Sequence, residues 1–411
     1  MAAITVNGRS YQVPRHPTVI ICVDGGDPDY FHDGLARGLL PALQQFKARG
    51  LLTTAQAVLP SFTNPNNVSI VTGVPPVTHG ISGNFFLDPE SGAEVMMNNP
   101  RFLRAGSIHA ALSQQGVRVA VITAKDKLRR LLGHELHHGI CFSAEKAHEA
   151  TQAEHGIAEV NALVGWDTPE VYSSQLSEFV LEAGLRVFEH HRPDVMYLSL
   201  TDYIQHKHAP DTPESDRFHQ RLDHYFGAFD ALGAVVGITA DHGMNDKNNA
   251  AGQPQIIYLS QLLDDALGGG KARVILPITD PYVVHHGALG SFAMVYLESA
   301  VAVPQVVRQL QDVPGVEYVG TRDDACRTFE LPADRIGDVV VVSDHCTAIG
   351  KSPAEHDLSL LEGGLRSHGG IAEQEVLFAL NRPLQSAYKQ KLSPALRNFD
   401  LFDFALNGVE S

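Results

Sequence analysis

Val19-Ile20-Ile21-Cys22-Val23-Asp24, Val195-Met196-Tyr197-Leu198-Ser199-Leu200-Thr201-Asp202 and Val235-Val236-Gly237-Ile238-Thr239-Ala240-Asp241 are three apolar runs that each close on an aspartate. Unbroken runs of β-branched and apolar residues are how strands buried on both faces read, which points to a parallel sheet. Open parallel sheets hold their ligands just beyond the carboxyl ends of their strands. The three acids are therefore expected to converge on one point from distant parts of the chain. Two of them bring histidines at ligand spacing, in Asp202-x-x-x-His206 and in the adjacent pair Asp241-His242. Carboxylates mixed with imidazoles are the ligand set of a hydrolytic metal site, zinc foremost; manganese or iron would accept the same set.

Outward from these runs, strand and helix patterns alternate. Asn7-Gly8, between Ile4-Thr5-Val6 and Arg9-Ser10-Tyr11-Gln12-Val13, reads as a type I′ hairpin turn. A strand over Thr18–Val23 leads to a helix ending near Gly50, with Lys47 and Arg49 suited to its C-terminus. A strand over Leu51–Val58 follows, broken at Pro60. A helix over Asn64–Thr72 has Thr63 or Asn64 as the expected N-cap. Val117–Thr123 reads as a further strand, Pro169–His191 as a long helix, and Val195–Leu200 and Ala234–Thr239 as strands. This order predicts an α/β fold, a doubly wound, mostly parallel sheet flanked by helices.

From Gln255 the texture changes. Gly268-Gly269-Gly270 punctuates it, and Ala293–Leu297, Pro304–Leu310, Val316–Val319 and Asp338–Val342 read as strand, helix, strand, strand. The expectation is an α+β cap over residues 255–361, inserted into a core formed by 1–254 and 362–411 and covering the site. The core resumes with His368-Gly369-Gly370 and a strand over Glu375–Leu380.

The 411 residues carry 31 basic and 47 acidic side chains, a net charge of −16, which argues against a nucleic-acid binder. Four cysteines are scattered without Cys-x-x-Cys spacing, as expected in a reducing cytosol, and Cys22 reads as a small core residue. The N-terminus lacks the basic start and apolar stretch of a signal peptide, and no segment has the length of a membrane span. A cytoplasmic protein is expected.

Pro60-Ser61-Phe62-Thr63-Asn64-Pro65-Asn66-Asn67 places a hydroxyl at a strand-to-helix turn, where orphan N–H groups and the helix dipole favour an anion. A plain cap is the alternative reading of such a threonine. With this turn in place the chain resembles the alkaline phosphatase superfamily, in its nucleotide pyrophosphatase/phosphodiesterase-like branch. Asp24 after a strand, Thr63 in Thr-x-Pro-Asn, Asp202-x-x-x-His206-x-x-Ala-Pro210, Asp241-His242-Gly243-Met244 and His368-Gly369-Gly370 stand in that order. The match runs from about Thr18 to Leu380. Within the branch it reaches to the members that cleave phosphonoacetate.

The resemblance implies two zinc ions. Asp24, Asp241 and His242 would hold one, with the Thr63 oxygen as a further ligand, and Asp202, His206 and His368 the other. Thr63 would be the nucleophile and would form a phosphothreonine. Asn84, in Ile81-Ser82-Gly83-Asn84-Phe85-Phe86, matches the asparagine that binds a phosphoryl oxygen; it also reads as a turn residue. The chain departs from the branch at Gln205 and Ala209, where glycines are usual, which bears on diester specificity.

Lys125-Asp126-Lys127 follows the strand over Val117–Thr123 at its carboxyl end. Spacing of two puts both ammonium groups on one side of an extended segment. There they could bind a carboxylate joined to a phosphonate, and the resemblance supports that role; a solvated patch with Arg129 and Arg130 is the other reading. The expected activity is hydrolysis of the C–P bond of phosphonoacetate to acetate and phosphate. A phosphodiesterase or phosphomonoesterase on the same scaffold is the runner-up. The expected partner is a small phosphonate, which His206 would also touch, with neither nucleic acid nor membrane, and a homodimer is left open. His79 and His208 are set between site and structural roles, His285-His286 reads as structural or solvent-facing, and His137-His138 as exposed loop.

Overall fold

The computed structural model describes residues 3–280, 285–361, 363–392 and 395–410. Six strands come first along the main sheet: β1 (Thr18–Cys22), β2 (Leu51–Gln56), β3 (Val119–Thr123), β4 (Ile140–Ser143), β5 (Val195–Ser199) and β6 (Val235–Thr239). Four more, β7 (Ala272–Ile275), β8 (Phe292–Leu297), β9 (Val316–Thr321) and β10 (Val339–Ser343), form a second sheet, and β11 (Glu375–Leu380) returns to the first.

The main sheet has seven strands in the order β2-β11-β6-β1-β5-β3-β4. Every neighbouring pair from β6 to β4 is parallel; β11 runs against both of its neighbours. The three runs that end in aspartate are thus adjacent central strands. Alternate side chains of β1 enter two different cores. Val19 and Ile21 pack with Phe31, Phe46, Phe179 and Phe226 from helices on one face. Ile20 and Cys22 pack with Val68, Ile108 and Leu128 from helices on the other. Burial on both faces is why these strands lack a polar alternation.

Several boundaries differ from the sequence reading. The helix expected before Gly50 is two helices, Pro28–Ala36 and Pro41–Arg49, each opened by a proline whose missing N–H costs nothing in a first turn. The long helix starts at Gln175 rather than Pro169, and β2 stops at Gln56. The hairpin is as expected, with Asn7 and Gly8 both at positive φ. Asn7 Nδ2 also donates to the carbonyl of Thr72, fastening the hairpin to the end of the Thr63–Thr72 helix. The four cysteines are all free thiols. No described helix is long and apolar enough to cross a membrane.

The second sheet is antiparallel throughout, in the order β7-β8-β10-β9, with the helix Val303–Gln311 between β8 and β9. β7 was not expected. Its Ala-Arg-Val-Ile has too short an apolar run to stand out after three glycines. Leu59 and Phe62 of the main body are part of this sheet's apolar core, so the turn before Thr63 is clamped from the side of the second sheet. Gly369 has φ +120°, and a Cβ there would strike the Phe62 ring.

A fully buried ion pair ties three segments together. Lys247 Nζ donates to Glu373 Oε1 at 2.8 Å and to the His345 carbonyl at 2.9 Å. Glu373 also accepts from Asn245 Nδ2 and from the Gly370 N–H, and its carbonyl accepts the Gly243 N–H. The chain after His242 and the chain after His368 are therefore fixed to one carboxylate. Removing one member of such a pair leaves an uncompensated charge in the interior. Glu373→Ala is expected to cost about 3–5 kcal/mol of unfolding free energy, read from urea midpoints. A loss below about 1 kcal/mol would mean that the Lys247 ammonium reaches solvent in the variant.

Candidate metal centre and active site

Strand register explains how the acids meet. Thr239, Cys22 and Ser199 are paired across β6, β1 and β5, and Ser199 is paired with Thr123 of β3. Asp241 and Asp24 each lie two residues beyond that line, Asp202 three beyond it, and Lys125 two beyond it. Adjacent strands are about 4.8 Å apart, so four consecutive strands deliver three carboxylates and an ammonium along one edge.

Two candidate metal-holding groups result: Asp24 with Asp241 and His242, and Asp202 with His242 and His368. In each, the ligand atoms lie within 4.8 Å of one another and all of the residues are buried. His242 Nε2 is 3.1 Å from Asp24 Oδ1. His206 Nε2 is 3.0 Å and His368 Nε2 3.7 Å from the same Asp202 oxygen, Oδ2. The His242 and His368 rings stack face to face with centroids 3.5 Å apart, so the two groups share a wall. The six Asp and His residues among the seven expected ligands are brought together, His206 through its contact with Asp202 rather than as a member of either group.

The donor chemistry fits metal ions. His206 Nδ1 bonds the Arg366 carbonyl, His242 Nδ1 the Gly243 carbonyl and His368 Nδ1 the Ser61 carbonyl, at 2.8, 2.9 and 2.8 Å. Those acceptors suit a proton on each Nδ1, so that with a cation bound each Nε2 would present its lone pair to it. Asp24 Oδ1 and His242 Nε2 face each other in the interior and, among the described residues, no other group hydrogen-bonds either atom. Buried polar atoms short of partners are costly, and divalent cations would satisfy these.

Without a cation, the carboxylates draw protons into the cluster. Burial and the neighbouring Asp24 raise Asp241 well above the usual carboxylate range. Burial opposes charge on His242, but Asp241 and Asp24 outweigh it and push its pKa up to about 10. His368 goes the other way, held neutral by burial and by His242 and His206.

Thr63 is the first residue of its helix, not its cap; Phe62 stands at the cap position. Among the described residues the Thr63 hydroxyl has no hydrogen-bond partner. The capping work is done from elsewhere: Asn84 Oδ1 accepts the Asn64 N–H at 2.9 Å. That commits the acceptor of the Asn84 amide and leaves its NH2 as donor. One turn into the helix, Asn67 was not singled out in the sequence and is central here. Its Nδ2 donates to the Thr63 carbonyl and to Asp241 Oδ2, while Tyr197 and Ser199 hydroxyls donate to its Oδ1. Helix, Asp241 and sheet are thereby joined by one side chain.

A cleft opens beside the cluster, lined by Asp24, Thr63, Asn84, Lys125, Lys127 and Asp280 among others. Lys125 ends the strand segment and Lys127 lies in the first turn of the helix Asp126–Leu132. The two lysines do reach one cleft, but across a strand-to-helix turn rather than along an extended segment. Burial opposes charge on Lys125, yet Asp202, Asp24 and Asp280 hold its pKa above the usual range.

His285 and His286 pack against His206, with ring centroids 5.2 and 4.9 Å away, and His286 is buried, so it is not solvent-facing. A non-local contact of this kind leaves no periodic trace in the sequence. The His208 side chain is half-buried, with Nδ1 4.0 Å from Glu214, and His79 is fully buried. The His208 carbonyl accepts the Tyr30 hydroxyl, and buried His79 bonds Ser69 and the Ile81 N–H. Gln205 is fully buried with both side-chain atoms unpartnered.

Residues 18–370 match the family model of the type I phosphodiesterases / nucleotide pyrophosphatases, and the chain belongs to that family. Over 108 residues it is 33% identical to human ectonucleotide pyrophosphatase/phosphodiesterase family member 1, a match covering 25% of this chain and 12% of the relative. At full length it is similar to phosphonoacetate hydrolase from Sinorhizobium meliloti 1021, solved in complex with phosphonoacetate. The two share 51% identity over 98% of each chain, with a TM-score of 0.94. Murine ectonucleotide pyrophosphatase/phosphodiesterase 5 shares the fold at 17% identity and TM-score 0.65, over 96% of each chain.

A pH test of the cluster follows. A histidine whose folded pKa is raised gives stability that is full below its ordinary value and lost as pH rises through the folded value. In chelator-treated protein, His242 and Asp241 both have this sign. Thermal stability should therefore fall as pH rises from 6.5 to about 10. Saturating zinc should remove most of that slope, because a cation then replaces the protons. A slope that is the same with and without metal would show that these groups do not hold it.

Proposed function

We propose that this protein is a zinc-dependent hydrolase that cleaves the C–P bond of phosphonoacetate to acetate and phosphate. The observation that carries this reading is one cleft in which Thr63, Asn84 and the Lys125/Lys127 pair stand beside two Asp/His clusters. The similarity to phosphonoacetate hydrolase over 98% of both chains supports it. Asp24, Asp241, His242 and Thr63 would hold one ion and Asp202, His206 and His368 the other. When bound, two zinc ions would supply Lewis acidity to the phosphoryl oxygens and lower the pKa of a nearby hydroxyl or water.

Thr63 Oγ1, at a helix N-terminus, attacks phosphorus in line with the departing carbon. The P–C bond breaks, and its electron pair passes onto the methylene carbon and into the adjoining carboxylate. Lys125 and Lys127 face that carboxylate and stabilise the enolate-like charge as it develops. The carbanion takes up one proton, which balances the proton given up by the Thr63 hydroxyl, and leaves as acetate. Water then attacks the phosphothreonine, the O–P bond breaks, and Thr63 and phosphate are released. The Asn84 NH2 holds a phosphoryl oxygen through both steps. The segment 255–361 acts as a cap that shapes access from one side.

Phosphodiester hydrolysis is the second reading, favoured by the family model and by the ectonucleotide relatives. Release of phosphate and acetate from phosphonoacetate, measured beside release from an aryl phosphodiester, decides between them. Thr63→Ala should lose at least about a thousandfold in turnover while Thr63→Ser keeps part of it. Near wild-type turnover in Thr63→Ala would mean that water attacks directly. Lys125→Ala or Lys127→Ala should cost about a hundred- to a thousandfold on phosphonoacetate and little on an aryl phosphate, which has no carboxylate to hold. Equal losses on both substrates would favour the second reading.

A further inference from the structure

Asp280 is part of the cleft, and nothing in the sequence marked it. It lies in the segment between β7 and β8, while Lys127 comes from the main body. Lys127 Nζ contacts both carboxylate oxygens of Asp280, at 2.7 and 2.9 Å. The acid is not a loose surface group, since its side chain is only 15% exposed. The segment that bears it is built in: Ile278 is buried in the core of the second sheet, and Thr279 N–H closes a turn on the Leu276 carbonyl. The Pro277 carbonyl accepts both the Asn84 and the Phe85 N–H. One short segment therefore sets the place of Asp280 and of the loop that carries Asn84.

The charges of the described residues lining this cleft are those of Asp24, Lys125, Lys127 and Asp280. Asp24 belongs to the metal cluster. The remaining three leave one net positive charge, where the two lysines alone would leave two. A single carboxylate matches the first value and a dianionic group the second. We propose that Asp280 is a specificity-determining residue, which sets the leaving-group subsite to one net positive charge and so favours a monoanionic carboxylate over a dianionic phosphonate or phosphate. This rests on the functional reading above, which places the leaving group against the lysines.

The probes are phosphonoacetate and methylenediphosphonate, which share a phosphonate and a methylene and differ in the second anion. Each is measured as a competitor of aryl phosphate hydrolysis by the zinc-loaded protein, for wild type, Asp280→Asn and Asp280→Glu. Comparing the ratio of the two inhibition constants between variants cancels any removal of zinc by the diphosphonate. In Asp280→Asn the ratio should shift by about tenfold or more toward methylenediphosphonate, as loss of a unit charge a few ångströms away implies. Asp280→Glu keeps the charge and should keep the wild-type ratio. An unchanged ratio in Asp280→Asn overturns the proposal, as does an equal shift in Asp280→Glu, which would make the effect one of shape. Loss of aryl phosphate turnover in Asp280→Asn also overturns it, because the residue would then serve the phosphoryl group. A wild-type protein that releases no phosphate from phosphonoacetate overturns the functional reading along with it. Wild-type turnover with an unshifted ratio overturns the Asp280 proposal alone.

Discussion

The register of four parallel strands is the constraint on which the rest depends. β6, β1, β5 and β3 end level with one another, and the residues just past their ends are Asp241, Asp24, Asp202 and Lys125. A shift of one residue in any strand would exchange the contents of the two cores and turn its side chains over. The sheet's two apolar faces thereby fix the position of charges that contribute nothing to those faces. Three carboxylates gathered out of water repel one another and lose hydration, and the fold tolerates them only with cations or protons among them. The three Nδ1 contacts to backbone carbonyls serve the same end, by aiming each imidazole before any ion arrives.

The cleft has two sides with different origins. The main sheet supplies the Asp/His cluster and the lysines. The second sheet supplies Asp280 directly and, through the Pro277 carbonyl, holds the loop that presents Asn84. Phe62 belongs to the second sheet's core although it precedes Thr63 in the chain, so the nucleophile candidate sits where the two bodies meet. Lys247 and Glu373 reinforce that meeting from below, joining the loops that follow His242 and His368 to the backbone at Asp344 and His345. Displacing the second sheet would disturb the turn at Thr63, Asn84 and Asp280 together.

Much of this was legible in the sequence, and the reasons are local. Buried parallel strands are continuous apolar runs, so β1, β5 and β6 and their terminal acids stood out, as did the histidines a fixed step beyond them. Thr63 was visible from the proline and asparagines of its turn. Non-local features left no such trace. The direction of β11 is not written in its composition, since an apolar run reads the same whichever way it pairs. Asn67 looked like one asparagine among several, and its role exists only where Tyr197, Ser199 and Asp241 surround it. His285 and His286 had no motif, because their partner His206 lies far back in the chain. The cap at Thr63 was misplaced for a similar reason: the oxygen that accepts the Asn64 N–H comes from Asn84, not from the residue before the helix.

The reversed strand β11 has a consequence for the order of assembly. Its partners deliver residues to the catalytic edge at their ends, whereas β11 starts there, so the chain reaches that edge just before it. His368 can thus follow the entire second sheet in the sequence and still complete a cluster begun at Asp24. During synthesis a growing chain would carry Asp24, Asp202, Asp241 and His242 for a long interval without the ring that stacks on His242. Closing contacts between positions so far apart is entropically slow. The centre therefore lacks His368 until the whole of the second sheet has been synthesised, since β10 ends at Ser343.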